Sequence, residues 1–336
     1  MKGRTHIWNR LWSSPLPTLG CEICPSGVSL ARWSPGADRL EAAVWRPLPA
    51  GAVEASPLRD NIRQPDAVRQ VLAANLQSLG LMGNGESRTR ILDAVLVVPD
   101  QAARLFVLDF EAFPERPAEA LAVLKWRLKK SVPFEIESAS ISYSARRLHP
   151  AWQVVAVVTP QFVIRQYEDV VRGLGLRPRW VTLSTLACLG LAEDSRGNGS
   201  GGAGSTDGPA PGVLLVKYSP PWLTLCILQQ DCLRLFRTVG LTAKDTASSL
   251  AAQVLEALYP SFAYFQDHFQ SPLEQAYLCG LGQESDFTAA ALEREMAIRS
   301  QLLLSEPASL PAGLGFADAE RYFASILGMI REQQTG

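Results

Sequence analysis

The segment Glu193 to Gly212, EDSRGNGSGGAGSTDGPAPG, holds seven glycines in twenty residues and no large apolar side chain. It has nothing with which to cover a core, so it predicts a flexible linker or loop. Packed elements must lie on one side of it or the other, in parts of about 190 and 125 residues, each the size of an ordinary domain.

The two parts open alike. Thr18 to Ser34 (TLGCEICPSGVSLARWS) reads as two short strands around a Pro-Ser-Gly turn, and Glu41 to Leu48 as a third strand. Val213 to Arg237 reads as VLLVKYS, a Pro-Pro break, WLTLCIL, a Gln-Gln-Asp turn and CLRLFR. The shared order of three strands is a duplication of structure without identity of sequence.

Each triplet leads into an α/β stretch. In the first part, Pro65 to Leu79 places Val68, Val71, Leu72, Leu76 and Leu79 at helical spacing, and Ile91 to Val98 reads as a buried strand. Leu105 to Val158 reads as an insertion: a strand, a helix from Pro117 to Lys130, then strands from Ser138 to Arg147 and from Trp152 to Val158. Gln161 to Gly173 is a helix closed by the turn Leu174 to Pro178, and Trp180 to Leu183 is the next strand. In the second part, Ala243 to Phe269 is a helical stretch interrupted or kinked near Pro260. Ala276 to Cys279 is a short strand running into Gly280-Leu281-Gly282, and Phe287 to Met296 and Gly315 to Glu332 are helices.

Composition narrows the function classes. With 47% apolar and 19% charged residues, the 336-residue chain has a soluble globular profile. Its 32 basic and 33 acidic residues give a formal charge of −1, so no net basic field attracts nucleic acid. No run approaches the roughly 18 consecutive apolar residues of a membrane span. Residues 1–17 form a basic tail in which Lys2, Arg4 and Arg10 are interleaved with Ile7, Trp8, Leu11 and Trp12. That pattern is not a secretory signal; the tail either packs on the domain or lies at an anionic membrane surface. The compartment expected is cytoplasmic.

Cys21-x-x-Cys24 is the one suggestive pair among six cysteines. It lacks a second pair to complete four zinc ligands, and it sits in a strand rather than at the helix start that redox pairs use. No metal site is expected. His6, His149 and His268 stand without a recognisable nucleophile, and neither a P-loop nor G-x-S-x-G occurs. Glu293 and Glu295 flank Arg294 on a helix, where i and i+2 point apart, so they form a solvated face.

Four stretches, in order, carry a family resemblance. They are GCEICPSGVSLARW, LKWRLKKSVPFEIESASISYSA, VVAVVTPQFVIRQYEDVVRGLGLRPRWVTLSTLACLGL, and YLCGLGQ with LEREMAIRSQLL. Over Thr18 to Gln333 the chain resembles the type IV pilus assembly protein PilM family of the actin-like ATPase superfamily. The resemblance implies an actin-like (ribonuclease H-like duplicated) α/β fold. Residues 18–192 and 213–336 would be its halves, with a small inserted subdomain at about 105–158. It implies a cytoplasmic scaffold, peripheral on the inner-membrane face, that binds the tail of a PilN-like bitopic inner-membrane protein and other pilus or secretion platform proteins.

Actin-like ATPases need small residues in two phosphate hairpins and aspartates that hold hydrated Mg²⁺. Matched to the family, the first hairpin's Asp falls on Glu22, its Gly on Cys24 before Pro25, its small turn on Ser26 and Gly27, and its Lys on Ser29. The second hairpin's Asp-x-Gly falls on Val216, Lys217 and Tyr218, and its turn reads Ser219-Pro220-Pro221-Trp222. A further Asp falls on Thr182, while Gly280 and Gly282 keep the third, glycine-rich element. Lys217 either binds phosphate in place of Mg²⁺ charge or snorkels to solvent. The expectation is a degenerate nucleotide site without catalytic residues, taking ATP and Mg only if it still binds. The alternative is an active actin-like ATPase or kinase with unconventional phosphate ligands.

In the insertion, Trp126, Arg127 and Lys130, with Lys129 between, precede the Pro133-Phe134 turn. They form a docking patch for an acidic partner or lipid headgroups, or else Trp126 and Phe134 fill the subdomain core and the cations face solvent. The linker supplies the first test. Deleting half of Glu193 to Gly212 leaves thermal stability nearly unchanged, because closure entropy varies slowly with loop length. A melting temperature lowered by more than about 10 °C in calorimetry would mark the segment as structured.

Overall fold

The run LGCEIC, Pro25-Ser26, GVSLARW folds as the hairpin β1 (Leu19–Cys24) and β2 (Gly27–Trp33), and β3 (Leu40–Pro47) extends it. This is seen in a computed structural model that describes residues 17–34, 39–82, 91–192, 210–230, 232–241, 249–304, 310–311 and 314–335. The basic tail and most of the glycine-rich segment lie outside the described residues. The chain divides into two compact units, Met1–Leu30 with Val44–Leu183 and Ala31–Ala43 with Ser184–Gly336.

Helix α1 (Pro65–Ser78) begins at a proline, whose fixed φ suits a first helical turn, and buries Val68, Leu72, Asn75 and Leu76. Asn75 is fully buried, and its Nδ2 donates to the carbonyl of Val28 on β2 at 2.9 Å. β4 (Leu92–Val98) comes next and pairs parallel with β1.

The insertion then leaves the sheet. β5 (Arg104–Phe110), α2 (Pro117–Leu128), β6 (Ala139–Leu148) and β7 (Ala151–Pro160) build a three-stranded antiparallel sheet in the order β5-β7-β6. Ala120, Leu124 and Leu128 of α2 pack on Val154, Ala156 and Val158 of β7. Phe113 adds an aromatic cluster, with ring centroids 5.1 Å from Phe110 and 5.7 Å from Tyr143. This subdomain therefore has a core of its own.

The chain returns through α3 (Gln161–Arg172), which buries Val163, Tyr167, Val170 and Val171, to β8 (Leu176–Leu183). β8 begins four residues earlier than the expected Trp180 and runs through Pro178. An edge strand tolerates this, and the register with β4 shifts between Ala94 and Val95, opposite Pro178 and Trp180. Asp93 on β4 meets Arg177 at 2.5 Å and Arg179 at 3.9 Å, and the Arg177 hydrogen bond holds its carboxyl below the usual range.

The second unit repeats the plan. After α4 (Ser184–Ala187), β9 (Gly212–Ser219), β10 (Trp222–Gln229) and β11 (Cys232–Gly240) form an antiparallel triplet. Helix α5 (Leu250–Phe269) runs unbroken through Pro260, contrary to the expected interruption. Pro260 and Glu256, four residues before it, are both exposed, so the turn that lacks its intrahelical bond lies on the solvent side of the helix. β12 (Leu273–Cys279) pairs parallel with β9, and α6 (Ser285–Met296), β13 (Arg299–Leu302) and α7 (Phe316–Thr335) complete the unit. β13 is an element the sequence does not announce: its four residues, RSQL, are too short and too polar to stand out from a loop.

The sheet orders are β3-β2-β1-β4-β8 and β11-β10-β9-β12-β13. Numbered within each sheet, both read third, second, first, fourth, fifth, with the last three strands parallel. This is the duplicated ribonuclease H-like plan of the actin-like fold, as expected. Replacing Asn75 by Leu keeps the volume but leaves the Val28 carbonyl buried without its donor. Urea unfolding will show a loss of about 2 kcal/mol relative to the wild type.

Candidate functional site

Strand pairing aligns the nucleotide-site positions without any appeal to sequence. In the first sheet, Glu22 of β1 stands opposite Val97 of β4, which stands opposite Thr182 of β8. Glu22 and Thr182 therefore share one row. In the second sheet, Lys217 of β9 stands between Thr224 of β10 and Cys279 of β12.

The first hairpin turns after Cys24 and the second after Ser219. Two residues before each turn lie Glu22 and Lys217, so Lys217, and not Val216, occupies the position equivalent to the first hairpin's acid. Val216 is buried in the apolar core with Leu214, Leu225 and Leu278. The sequence match is one residue out of register because a single polar position among apolar ones carries no alternation signal. The charge at the equivalent position is thus reversed, and it is not merely lost.

Lys217 is also where solvent is not. It is only 5% exposed, so it does not snorkel. Its Nζ donates to Ser184 Oγ at the start of α4 and lies 3.6 Å from Cys188 Sγ. Nearby, Glu320 of α7 is 2% exposed, and its Oε1 accepts from the backbone N–H of Gly280. Burial raises the Glu320 pKa above the ordinary carboxyl value, against the opposing pull of the Gly280 N–H, Lys217 and Arg321. The Cys188 hydrogen bond and burial hold the Cys279 thiol well above its usual value. A cation, a carboxyl, a hydroxyl and two thiols thus form one buried polar cluster in the second unit.

Each hairpin turn is packed against its own chain. A Cβ on Gly27 would lie 2.5 Å from the Arg46 carbonyl oxygen and 2.6 Å from Trp45 Nε1, so this glycine makes room for β3. The Ser26 carbonyl accepts from the Leu48 N–H at 3.1 Å, and Cys24 Sγ lies 3.1 Å from Ser26 Oγ. Pro220 and Pro221 offer no N–H in the second turn, and the Pro221 carbonyl accepts from Leu241 at 2.7 Å. Gly280 has φ +80°, and a Cβ there would lie 2.1 Å from the Tyr218 carbonyl oxygen. It serves a tight strand-to-helix turn. Gly282, at φ +59° with open space around its Cα, is the only one of the matched glycines with room beside it.

The remaining candidates are dispersed. Cys21 and Cys24 lie three apart on β1, which sends their side chains to opposite faces. Burial pushes the Cys21 thiol up to about 12 and raises that of Cys24, so neither is an activated nucleophile. Among the described residues no group of three or more His, Cys, Asp or Glu is placed to hold a metal ion. Arg294 pairs with Glu295 at 3.0 Å on an exposed face, and His268 stacks on Tyr264. In the insertion, Phe134 packs against the subdomain core, whereas Trp126 is 80% exposed and Arg127, Lys129 and Lys130 are exposed beside it. The two aromatics therefore divide between the alternative readings. Sequence reasoning misses both Glu320 and Cys188: Cys188 is one small residue in an apolar run, and Glu320 sits between Asp318 and Arg321 like a surface acid.

A buried carboxyl with a raised pKa binds its proton more tightly folded than unfolded. Its contribution to stability is present at low pH and is lost as pH rises through the raised value. Glu320→Gln keeps an acceptor for Gly280 without the charge, so its stability will fall less than that of the wild type over this range. Parallel unfolding titrations of the two proteins check the sign.

No protein-family model matches the chain, and no curated protein sequence matches it. Among solved structures, a chain of the PilM–PilN type IV pilus biogenesis complex superposes with a TM-score of 0.72 at 19% identity, covering 96% of this chain and 99% of that one. A Bacteroides thetaiotaomicron protein with an actin-like ATPase fold and unknown function gives a TM-score of 0.46 at 11% identity, over 85% of this chain and 91% of that one. The cytoplasmic domain of EpsL, an inner-membrane component of the Vibrio cholerae type II secretion system, gives 0.45 at 10% identity, over 94% and 93%. The chain has the duplicated actin-like fold, in the form seen in the PilM–PilN complex.

Proposed function

We propose that this chain is a non-catalytic scaffold of a type IV pilus or related secretion platform, which captures the cytoplasmic tail of a PilN-like inner-membrane protein. The observation that carries the reading is the superposition on a chain of the PilM–PilN complex across nearly the full length of both chains. The scaffold sits in the cytoplasm, peripheral on the inner-membrane face. Among the described residues no helix is long and apolar enough to cross a membrane. Capture of the bitopic partner's tail holds the scaffold at that face.

The site chemistry supports a scaffold over an ATPase. A divalent cation bound to triphosphate needs carboxylates, and Lys217 and Thr182 stand at two of the three acidic positions. Each lost metal-holding carboxylate costs roughly 10³-fold in rate. Lys217 does not take over as a phosphate ligand, because its ammonium is committed to Ser184 and Cys188 inside the second unit. An active ATPase or kinase would require ligands that neither hairpin offers.

The tail binds the first unit as an added strand. The inserted sheet leaves β5 and β6 as edges, whose backbone groups can pair with an extended peptide. In the test, the purified chain captures the tail peptide of a PilN-like protein, and hydrogen exchange slows along β5 or β6. Calorimetry with ATP·Mg²⁺ shows no low-micromolar binding. Mg²⁺-dependent binding at that level would overturn the degenerate site, and tail capture mapping after Gly212 would overturn the placement.

A further inference from the structure

We infer that the outward face of α2 is a docking surface for an anionic lipid bilayer. Helix α2 turns Ala120, Leu124 and Leu128 into the subdomain core and presents Ala122 and Trp126 on the opposite stripe, with exposed Lys129 and Lys130 directly past its C-terminus. Trp126 is the most exposed large apolar side chain among the described residues, at 80%, and it stands among exposed cations instead of alone.

Only some of the charges around it are used by the fold. Lys125 spends its ammonium on Glu137 at 3.0 Å and Arg116 pairs with Glu119 at 3.2 Å. Arg127, Lys129 and Lys130 make no ion pair among the described residues, and Glu135 is the one acid left to face them between 125 and 137. Cations at a helix C-terminus answer its dipole. That accounts for their position and leaves the exposed indole among them unexplained.

Indole with lysines and arginines is the composition of interfacial anchors: the ring enters the headgroup region while the cations meet lipid phosphates. A convex helix face can seat its Trp in a protein groove or in a bilayer, and the cluster of cations without acidic partners beside it is what selects an anionic bilayer here. The first twelve residues repeat the chemistry with Trp8, Trp12, Lys2, Arg4 and Arg10, and one weak anchor rarely suffices alone. This surface is separate from the β5 and β6 edges, so loss of tail capture would leave it standing.

Flotation of the full chain with vesicles tests the assignment. The protein is expected to float with vesicles of phosphatidylcholine and phosphatidylglycerol, to stay behind with phosphatidylcholine alone, and to be released by salt. Arg127→Glu/Lys130→Glu lowers partition at least about tenfold, and Trp126→Ala lowers it severalfold, with unchanged melting transitions. Should that double variant fail to fold, Lys129→Ala/Lys130→Ala reads out the same charges. No flotation of the wild type on anionic vesicles overturns the inference, as does undiminished flotation of a folded double variant. Loss only on replacing Trp8 and Trp12 assigns the binding to the tail instead. Patch variants that lose tail-peptide capture while keeping vesicle binding would make this a protein-docking face and overturn it equally.

Discussion

Each unit depends on one parallel pairing, β1 with β4 in the first and β9 with β12 in the second. A parallel pair cannot be closed by a tight turn, so the chain must leave the sheet and return through a helix. α1 makes that crossing in the first unit and α5 in the second. The pairing also brings the ends of the central strands level, which sets Glu22 beside Val97 and Lys217 beside Cys279. The candidate site is therefore a by-product of sheet closure, and its residues can change without changing the fold.

The buried cluster of the second unit turns on the solvation of charge. A buried ammonium is tolerable only where the protein replaces the water it lost. Ser184 and Cys188 do so for Lys217, and the Gly280 N–H does so for Glu320. These donors and acceptors face one another, as interior structure of the second unit.

Much of the architecture is legible because strand triplets and amphipathic helices leave periodic traces. The helix 161–173 is readable from Phe162, Ile164, Tyr167, Val170 and Val171, although the structure buries Val163 and leaves Phe162 exposed. β8 reads shorter than it is because Pro178 looks like a terminator, and only the edge position and the register shift beside it remove that objection. Pro260 misleads for the same reason: a proline's cost depends on where the freed carbonyl points. Lys217 stands out in the sequence, yet its equivalence to Glu22 depends on where the strand ends. Glu320 is invisible there, since its partner is a backbone N–H forty residues away.

The closeness of Gly280 to the Tyr218 carbonyl has a consequence for substitution. Lys217, Ser184, Cys188, Cys279 and Glu320 are mutually adjusted around a turn that admits no side chain. An aspartate at 217 would bury a second acid near Glu320, and like charges in a dry interior disfavour ionisation of both. Exchanging the Lys217 charge would need several coordinated changes, each disadvantageous alone. The packing around one glycine thus acts as a ratchet that holds the buried charges in place.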